Sequence, residues 1–289
     1  MQMSDQLVYL NGEFMPLSEA RVPVLDRGFI FGDGIYEVIP VYGKRLFRLD
    51  EHLDRLNNSL DATRIPNPYP ESEWKKILSQ LVMKNEAEDQ SVYLQVTRGV
   101  AKRDHAFPEK VTPTVFMMSN PLIVTSEEAF NKGVAAITLD DIRWQYCNIK
   151  AITLLPNILL RQTAIDEGAQ EAILVRGGEV TEGSASNIFI VIDGVIKTPP
   201  KSSRLLPGIT RDLIVELAQK NNLKCIEANF SRTELEAADE IWLTSSMKEV
   251  MPIVKLNDEP VGDSKPGQIT RQMFNIFQEY KAELKRDLD

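Results

Sequence analysis

The hydrophobic residues of this chain change period repeatedly, from the alternation of strands to the three-to-four spacing of helices and back, and that order excludes most architectures. Leu7-Val8-Tyr9-Leu10, the turn Asn11-Gly12 and then Glu13-Phe14 predict an opening hairpin, because Asn-Gly readily takes the positive φ angles of a tight turn. Residues 35–42 and Leu46-Phe47 flank Gly43 as a second strand pair. Leu49, His52, Leu53, Leu56 and Leu60 recur at helical spacing, as do Trp74, Ile77, Leu78, Leu81 and Val82, so two amphipathic helices should cover one sheet face. Residues 92–97 and 114–118 read as further strands before a turn at Ser119-Asn120-Pro121. Strands restart at 134–139, with turns at Gly177-Gly178 and Asp193-Gly194. Gly208 then opens a helix with Ile209, Leu213, Ile214, Leu217 and Ala218 on one side, and a last helix is expected from Gly267 onward. The series is neither a strict βαβ alternation nor an all-β run, which predicts an α+β architecture.

At 289 residues the chain lies where one hydrophobic core usually gives way to two. The expected division is a small N-terminal α+β domain over 1–121, a linker over 122–132 and a larger C-terminal domain over 133–289. With 33 basic against 42 acidic residues and a net charge of −9, the chain is a poor partner for nucleic acid or an anionic membrane, although a local cationic pocket for a small anion stays compatible. Only Cys147 and Cys225 occur, outside any CxxC spacing, and His52 and His105 are the only histidines, so no metal centre is expected and a reducing cytoplasm is predicted. The opening Met1-Gln2-Met3-Ser4-Asp5 carries no basic stretch leading into an apolar one, and no run approaches the roughly 18 apolar residues of a membrane span. An unexported, soluble protein is expected.

Several residues suit the chemistry of an aldehyde cofactor. Lys150 sits in Asn148-Ile149-Lys150-Ala151-Ile152-Thr153-Leu154-Leu155, where apolar flanks should strip water from the amine and favour its nucleophilic neutral form. Taken alone, a lysine beside apolar residues more often returns its ammonium to water. Glu182, in Val180-Thr181-Glu182-Gly183-Ser184-Ala185-Ser186-Asn187, offers a carboxylate that can keep a pyridine nitrogen protonated. Gly208-Ile209-Thr210 precedes a helix whose free N–H groups can cradle a phosphate, or simply begin an ordinary helix. Arg55 could add a guanidinium to such a phosphate and Ser246 a hydroxyl. Arg103 and His105, in a loop directly after a strand, suit capture of a carboxylate, and Tyr36 could turn its hydroxyl into a pocket. Gly32-Asp33-Gly34 lacks the GxGxxG continuation of a dinucleotide fingerprint.

Asp26-Arg27-Gly28 through Gly32-Asp33-Gly34-Ile35-Tyr36-Glu37, then Glu51-His52-Leu53-Asp54-Arg55-Leu56, Lys150, Thr181-Glu182-Gly183, Gly208-Ile209-Thr210-Arg211 and Leu243-Thr244-Ser245-Ser246 occur in that order. Jointly they resemble the class IV, fold-type IV pyridoxal-phosphate aminotransferases, over nearly the whole chain. Within that family the Arg103-Asp104-His105 loop resembles the carboxylate trap of the D-amino acid (D-alanine) aminotransferases. The resemblance implies a two-domain α+β subunit working as a homodimer, a partner chain that completes the active site, and a larger C-terminal domain that binds pyridoxal 5′-phosphate. It implies Lys150 as covalent anchor and proton shuttle, and Glu182 as partner of the pyridine nitrogen. Arg55, Ile209, Thr210 and Ser246 would take the phosphate, and Leu206 would pack on the ring. Tyr36, Arg103 and His105 would recognise the substrate α-carboxylate, the latter two donated across the dimer interface. The implied reaction exchanges an amino group between a D-amino acid and a 2-oxo acid such as 2-oxoglutarate or pyruvate. Branched-chain L-amino acid transamination, aminodeoxychorismate lysis and non-catalytic binding of a small anion are the alternatives. Ser246, where relatives often have threonine, and Met247-Lys248, in place of smaller, less charged residues, depart from the family pattern.

Overall fold

The structure, a computed structural model of one chain, describes residues 6–123 and 125–286, so the opening segment read above for export signals lies outside it. Two compact units form: residues up to 123 together with Ile149–Thr153, and the remainder. In the first unit come β1 (Leu7–Leu10), β2 (Glu13–Pro16), the short α1 (Arg27–Phe31), β3 (Gly34–Tyr42), β4 (Arg45–Leu46), α2 (Leu49–Thr63), α3 (Glu71–Lys84), β5 (Gln90–Thr97) and β6 (Thr114–Pro121). They make an antiparallel six-stranded sheet in the order β2-β1-β6-β5-β3-β4. Asn11 and Gly12 both take positive φ, at 48° and 106°, closing the hairpin as expected. The predicted stripes Leu53, Leu56, Leu60 of α2 and Trp74, Ile77, Leu78, Leu81, Val82 of α3 pack on Ile35, Ile39, Val92, Leu94 and Val96. Each buried aliphatic side chain contributes about 1.5–3 kcal/mol. Glu37 alternates with Ile35 and Ile39 on that inward face, which turns its carboxylate toward α2.

β4 pairs only with Val41 and Tyr42, so the beginning of β3 keeps an open edge, and the Lys150 segment returns to it. Tyr36 N–H donates to Lys150 O at 2.9 Å, and Ile152 N–H to Gly34 O at 3.0 Å. Glycine makes the approach possible: a Cβ on Gly32, whose φ is 65°, would stand 2.5 Å from Thr153 Cγ2. The chain therefore does not divide at a single cut near 122–132, because these backbone bonds attach Ile149–Thr153 to the first unit.

The second unit contains α4 (Glu127–Lys132), within the stretch expected as linker, then β7 (Val134–Asp140), α5 (Leu155–Asp166), β8 (Glu171–Arg176), β9 (Glu179–Gly183), β10 (Asn187–Ile192) and β11 (Val195–Thr198). After these come α6 (Ile209–Lys220), β12 (Cys225–Glu227), α7 (Arg232–Glu236), β13 (Glu240–Ser245), β14 (Glu249–Leu256), β15 (Glu259–Pro260) and α8 (Gln268–Arg286). The strands form a nine-stranded mixed sheet, β12-β11-β10-β13-β14-β7-β8-β9, with β15 on β14. Ile188, Ile190, Ile241, Leu243, Met251 and Ile253 fill one side, while Phe189 and Trp242 stack across β10 and β13 on the other, 5.3 Å between ring centres. Among the described residues no helix is long and apolar enough to cross a membrane.

Candidate active site

In the first unit Lys150 is fixed by its own backbone. Its N–H donates to Ser59 Oγ at 3.3 Å and its carbonyl accepts from Tyr36, while its Nζ lies 4.2 Å from the centre of the Tyr36 ring. The aromatic face favours a cation there. Tyr36 is followed at 5.7 Å by the ring of Tyr93, whose half-buried phenol, desolvated and close to Tyr36, is pushed up to about 12 and donates to Gln95 Oε1 at 2.7 Å.

Arg55, one turn before Ser59 on α2, presents Nε and Nη2 to the two oxygens of Glu37 at 2.8 and 2.7 Å, and His52 Nδ1 meets Oε2 at 2.8 Å. All three side chains are buried. Burial alone would raise the Glu37 carboxyl, but the Arg55 charge and the bonds from Arg55 and His52 hold it well below the usual carboxylate range. Burial pushes His52 below its ordinary value against the pull of Glu37, leaving a neutral ring whose Nδ1–H is assigned as the donor to the carboxylate. Arg103 and His105 form a separate, exposed group around Phe31: the Arg103 guanidinium lies 5.4 Å from that ring, and the His105 ring 5.6 Å from it.

In the second unit Glu182, on β9, is buried. Its Oε1 pairs with Arg143 Nη1; its Oε2 accepts from Leu206 N–H at 3.1 Å and Asn187 Nδ2 at 3.3 Å. Arg143 is shared, since its Nε and Nη2 both bond Asp141 at 2.9 Å. Burial pushes the Glu182 carboxyl up to about 7, and Arg143 only partly offsets it. The turn after Glu182 is held by buried Glu171, which accepts from the Ser184 backbone N–H and hydroxyl and from Ser186 Oγ. Asn187 also donates to Leu206 O at 2.9 Å, so Leu206 is bound at both its amide and its carbonyl.

Leu206 leads into Gly208 and α6. No side chain caps that helix, and Ile209 and Thr210 are buried in its first turn. A Cβ on Gly208 would stand 2.1 Å from Asn187 Oδ1, so any larger residue requires that side chain to shift. Across the β10–β13 ladder Asn187 faces Thr244, which places the Thr244 side chain on the same sheet face. Among the described residues Thr244 Oγ1 and Lys248 Nζ are buried without a hydrogen-bond partner, and half-buried Ser246 lies between them in the turn joining β13 to β14. Burial lowers the Lys248 amine, a shift that Glu171 partly opposes. An uncapped helix start, an unpaired buried hydroxyl and a buried carboxyl raised toward neutrality fit a group bearing a phosphate and a pyridine nitrogen.

The arrangement brings Lys150 and Tyr36 together in one unit, and Glu182, Leu206 and the α6 start together in the other. The sequence reading passed over Arg143, Asp141 and Asn187 around Glu182, Glu37 and His52 around Arg55, and Thr244. Glu37, His52, Thr244 and Asn187 stood inside the motifs quoted above, whereas Arg143 and Asp141 lay outside them and carried no signal. No group of three His, Cys, Asp or Glu side chains among the described residues could hold a metal ion.

The family model "Amino-transferase class IV" matches residues 34–256. A D-alanine aminotransferase of Staphylococcus aureus (strain COL) is 42% identical, the alignment covering 94% of this chain and 97% of that protein. One from Bacillus licheniformis is 41% identical, covering 94% and 95%. Among solved structures, a T.th. branched-chain amino acid aminotransferase with pyridoxamine 5′-phosphate superposes with a TM-score of 0.91 at 27% identity, covering 97% of this chain and 95% of that one.

Proposed function

The chain belongs to the class IV aminotransferases, and on that premise we propose that it exchanges the amino group of a D-amino acid with a 2-oxo acid such as 2-oxoglutarate or pyruvate, using pyridoxal 5′-phosphate. The observation that carries the D-amino acid reading is the 42% identity to a D-alanine aminotransferase over 94% of the chain, against 27% to a branched-chain enzyme of similar fold. The Arg103–His105 pair supports the same choice.

The cofactor, when bound, supplies the carbonyl that takes up the amino group and an electron-poor ring that disperses the charge left at Cα. Lys150 would hold its aldehyde, and its Nζ, when free, would move the proton from Cα. Glu182 would hold a proton at the pyridine nitrogen. Leu206, tied by Glu182 and Asn187, packs on the ring. Arg55, the first-turn N–H groups of Ile209 and Thr210, the Thr210 hydroxyl and the Ser246 hydroxyl bind the phosphate. Tyr36, Arg103 and His105 bind the α-carboxylate. Holding two anions at separate places orients the Cα–H bond against the ring, which selects the bond that breaks.

The reading extends to a homodimer in the cytoplasm. Leu155, Ile158 and Leu159 on α5 are each more than half exposed, an apolar cluster that supports a subunit interface. Both cysteines are free thiols, in keeping with a reducing compartment. Purified protein is expected to be yellow, to bleach with borohydride and then to carry the reduced cofactor on Lys150 in peptide maps. A panel of D- and L-alanine, leucine and glutamate should be turned over in the D series, and Lys150→Ala should lose multiple turnover. Exclusive use of the L series overturns the stereochemical reading, and absence of cofactor from Lys150 overturns the reaction itself.

A further inference from the structure

Between β5 and β6 the chain leaves the sheet, and residues 102–107 stand exposed without strand pairing. A segment of this kind that ordered only when a ligand arrived would bind it more weakly, by the entropy lost in ordering. Here it is tied from beneath by three side chains. Asp33 Oδ2 accepts from Arg27 Nε at 2.8 Å and from Arg98 Nε at 2.7 Å, and Oδ1 accepts from Arg98 Nη2 at 2.9 Å. Arg27 and Arg98 are buried. Each guanidinium also donates to backbone. Arg27 Nη1 donates to the carbonyls of Asp104 and Ala106, at 2.6 and 3.3 Å. Arg98 donates to the carbonyls of Arg64 and Thr63 at the end of α2, at 2.9 and 2.8 Å, and its guanidinium lies 3.7 Å from the centre of the Phe107 ring. Arg27 also stands 4.8 Å over Phe31, the ring that Arg103 and His105 flank. The loop thus hangs from one shared carboxylate by two carbonyls and one aromatic ring.

We propose that Asp33, acting through Arg27 and Arg98, is a positioning residue that holds the 102–107 loop so that Arg103 and His105 are preset for an α-carboxylate, and thereby sets affinity for amino and 2-oxo acids. The inference rests on the reading above in which Arg103 and His105 bind that carboxylate. Asp33→Asn keeps the shape but removes the anion, so two guanidinium groups that met at one oxygen repel each other and release the loop. The Asp33→Asn holoenzyme should retain its cofactor on Lys150. Its KM for D-alanine and for pyruvate, and the Ki of propionate as competitor, should rise by about tenfold or more while kcat changes by less than about threefold. Limited trypsin digestion should cut faster after Lys102 and Arg103. Asp33→Glu should recover part of the KM, and Phe107→Ala, on the exposed loop, should raise KM without disturbing the buried cluster. Arg103→Ala separates the two layers of the argument. Wild-type KM and digestion rate in Asp33→Asn, beside a raised KM in Arg103→Ala, overturns the positioning role alone; unchanged KM in both overturns the carboxylate reading and this proposal with it. Should Asp33→Asn fail to fold, Phe107→Ala decides, and a wild-type KM there overturns the proposal.

Discussion

Replacing Glu37 by glutamine preserves volume and removes one charge at a position where the carboxylate accepts two bonds from Arg55 and one from His52, all among buried side chains. Both oxygens of Glu37 face Arg55 donors, at 2.8 and 2.7 Å, so a glutamine must turn its NH2 toward a guanidinium N–H whichever way it flips. One bond becomes a donor–donor opposition, and Arg55 loses the negative charge it faces. Breaking a buried pair from one side costs about 3–5 kcal/mol. At about 2–4 °C per kcal/mol for a chain of this size, the melting temperature should fall by roughly 6–20 °C. The acid response fixes the sign. The folded carboxyl lies below its ordinary value of 4.5, so its contribution is complete above that pH and is lost as pH falls through the folded value. Calorimetric melts of wild type and Glu37→Gln should therefore differ by a constant gap from about pH 8 to pH 5 and converge only at lower pH. A variant melting within about 1 °C of wild type at neutral pH would show that Arg55 finds another counter-ion and that the reasoning is wrong.

Glu182 should give the opposite pH dependence. Its folded carboxyl titrates at about 7 against an ordinary 4.5, so between those values the folded state holds the extra proton and stability of the cofactor-free protein falls as pH rises, by about 3 kcal/mol in all. Glu182→Gln should lack that slope in denaturant melts across the window, and parallel profiles would reject the shift. Gly208→Ala places a methyl 2.1 Å from Asn187 Oδ1, which must move and take its bonds to Leu206 and Glu182 with it. Calorimetry should register a loss of about 1–3 kcal/mol, and titration with pyridoxal 5′-phosphate a weaker site; wild-type affinity would place the phosphate elsewhere.

Helices with one buried face were legible in the sequence, because α2, α3 and α6 repeat their apolar residues where the sheet meets them. α5 was not. Leu155, Ile158, Leu159, Leu160 and Ile165 surround its axis, only Leu160 and Ala164 are buried, and no single stripe announces the helix. α1 is too short for a period, and its start depends on Asp26 accepting from Gly28 N–H. Of the expected site residues, Lys150 stood out in the sequence by its apolar flanks and Glu182 by its motif. Their supports were not: Arg143 lies 39 residues from Glu182 and Arg98 lies 65 from Asp33, and such pairs meet only once strands have registered. A charged residue read alone defaults to the solvated surface, and only the folded sheet reveals which ones serve a buried partner.

Glu37 and Glu182 show how the same chemistry is set to two purposes. Each is a buried carboxylate facing an arginine, yet one is held ionised and the other is raised to about 7. The difference lies in how the arginine is divided between carboxylates. Arg55 gives two nitrogens to Glu37, and His52 adds a third donor, so the negative charge is matched on the spot. Arg143 gives two nitrogens to Asp141 and only one to Glu182, and the Asp141 charge itself pushes Glu182 upward. Arg176 Nη2 also pairs with Asp141, at 3.0 Å, so two guanidinium groups face two carboxylates, and burial remains the larger push on Glu182. In the proposed role of Glu182, a protonated ring nitrogen beside it would return the carboxylate to its ionised form as the ring gains the proton. Had Asp141 been neutral, Arg143 would satisfy Glu182 alone and the pull on a ring proton would weaken. Burial, with the Asp141 charge adding to it, thus keeps Glu182 raised toward neutrality, while the paired donors of Arg55 make Glu37 a fixed part of the scaffold.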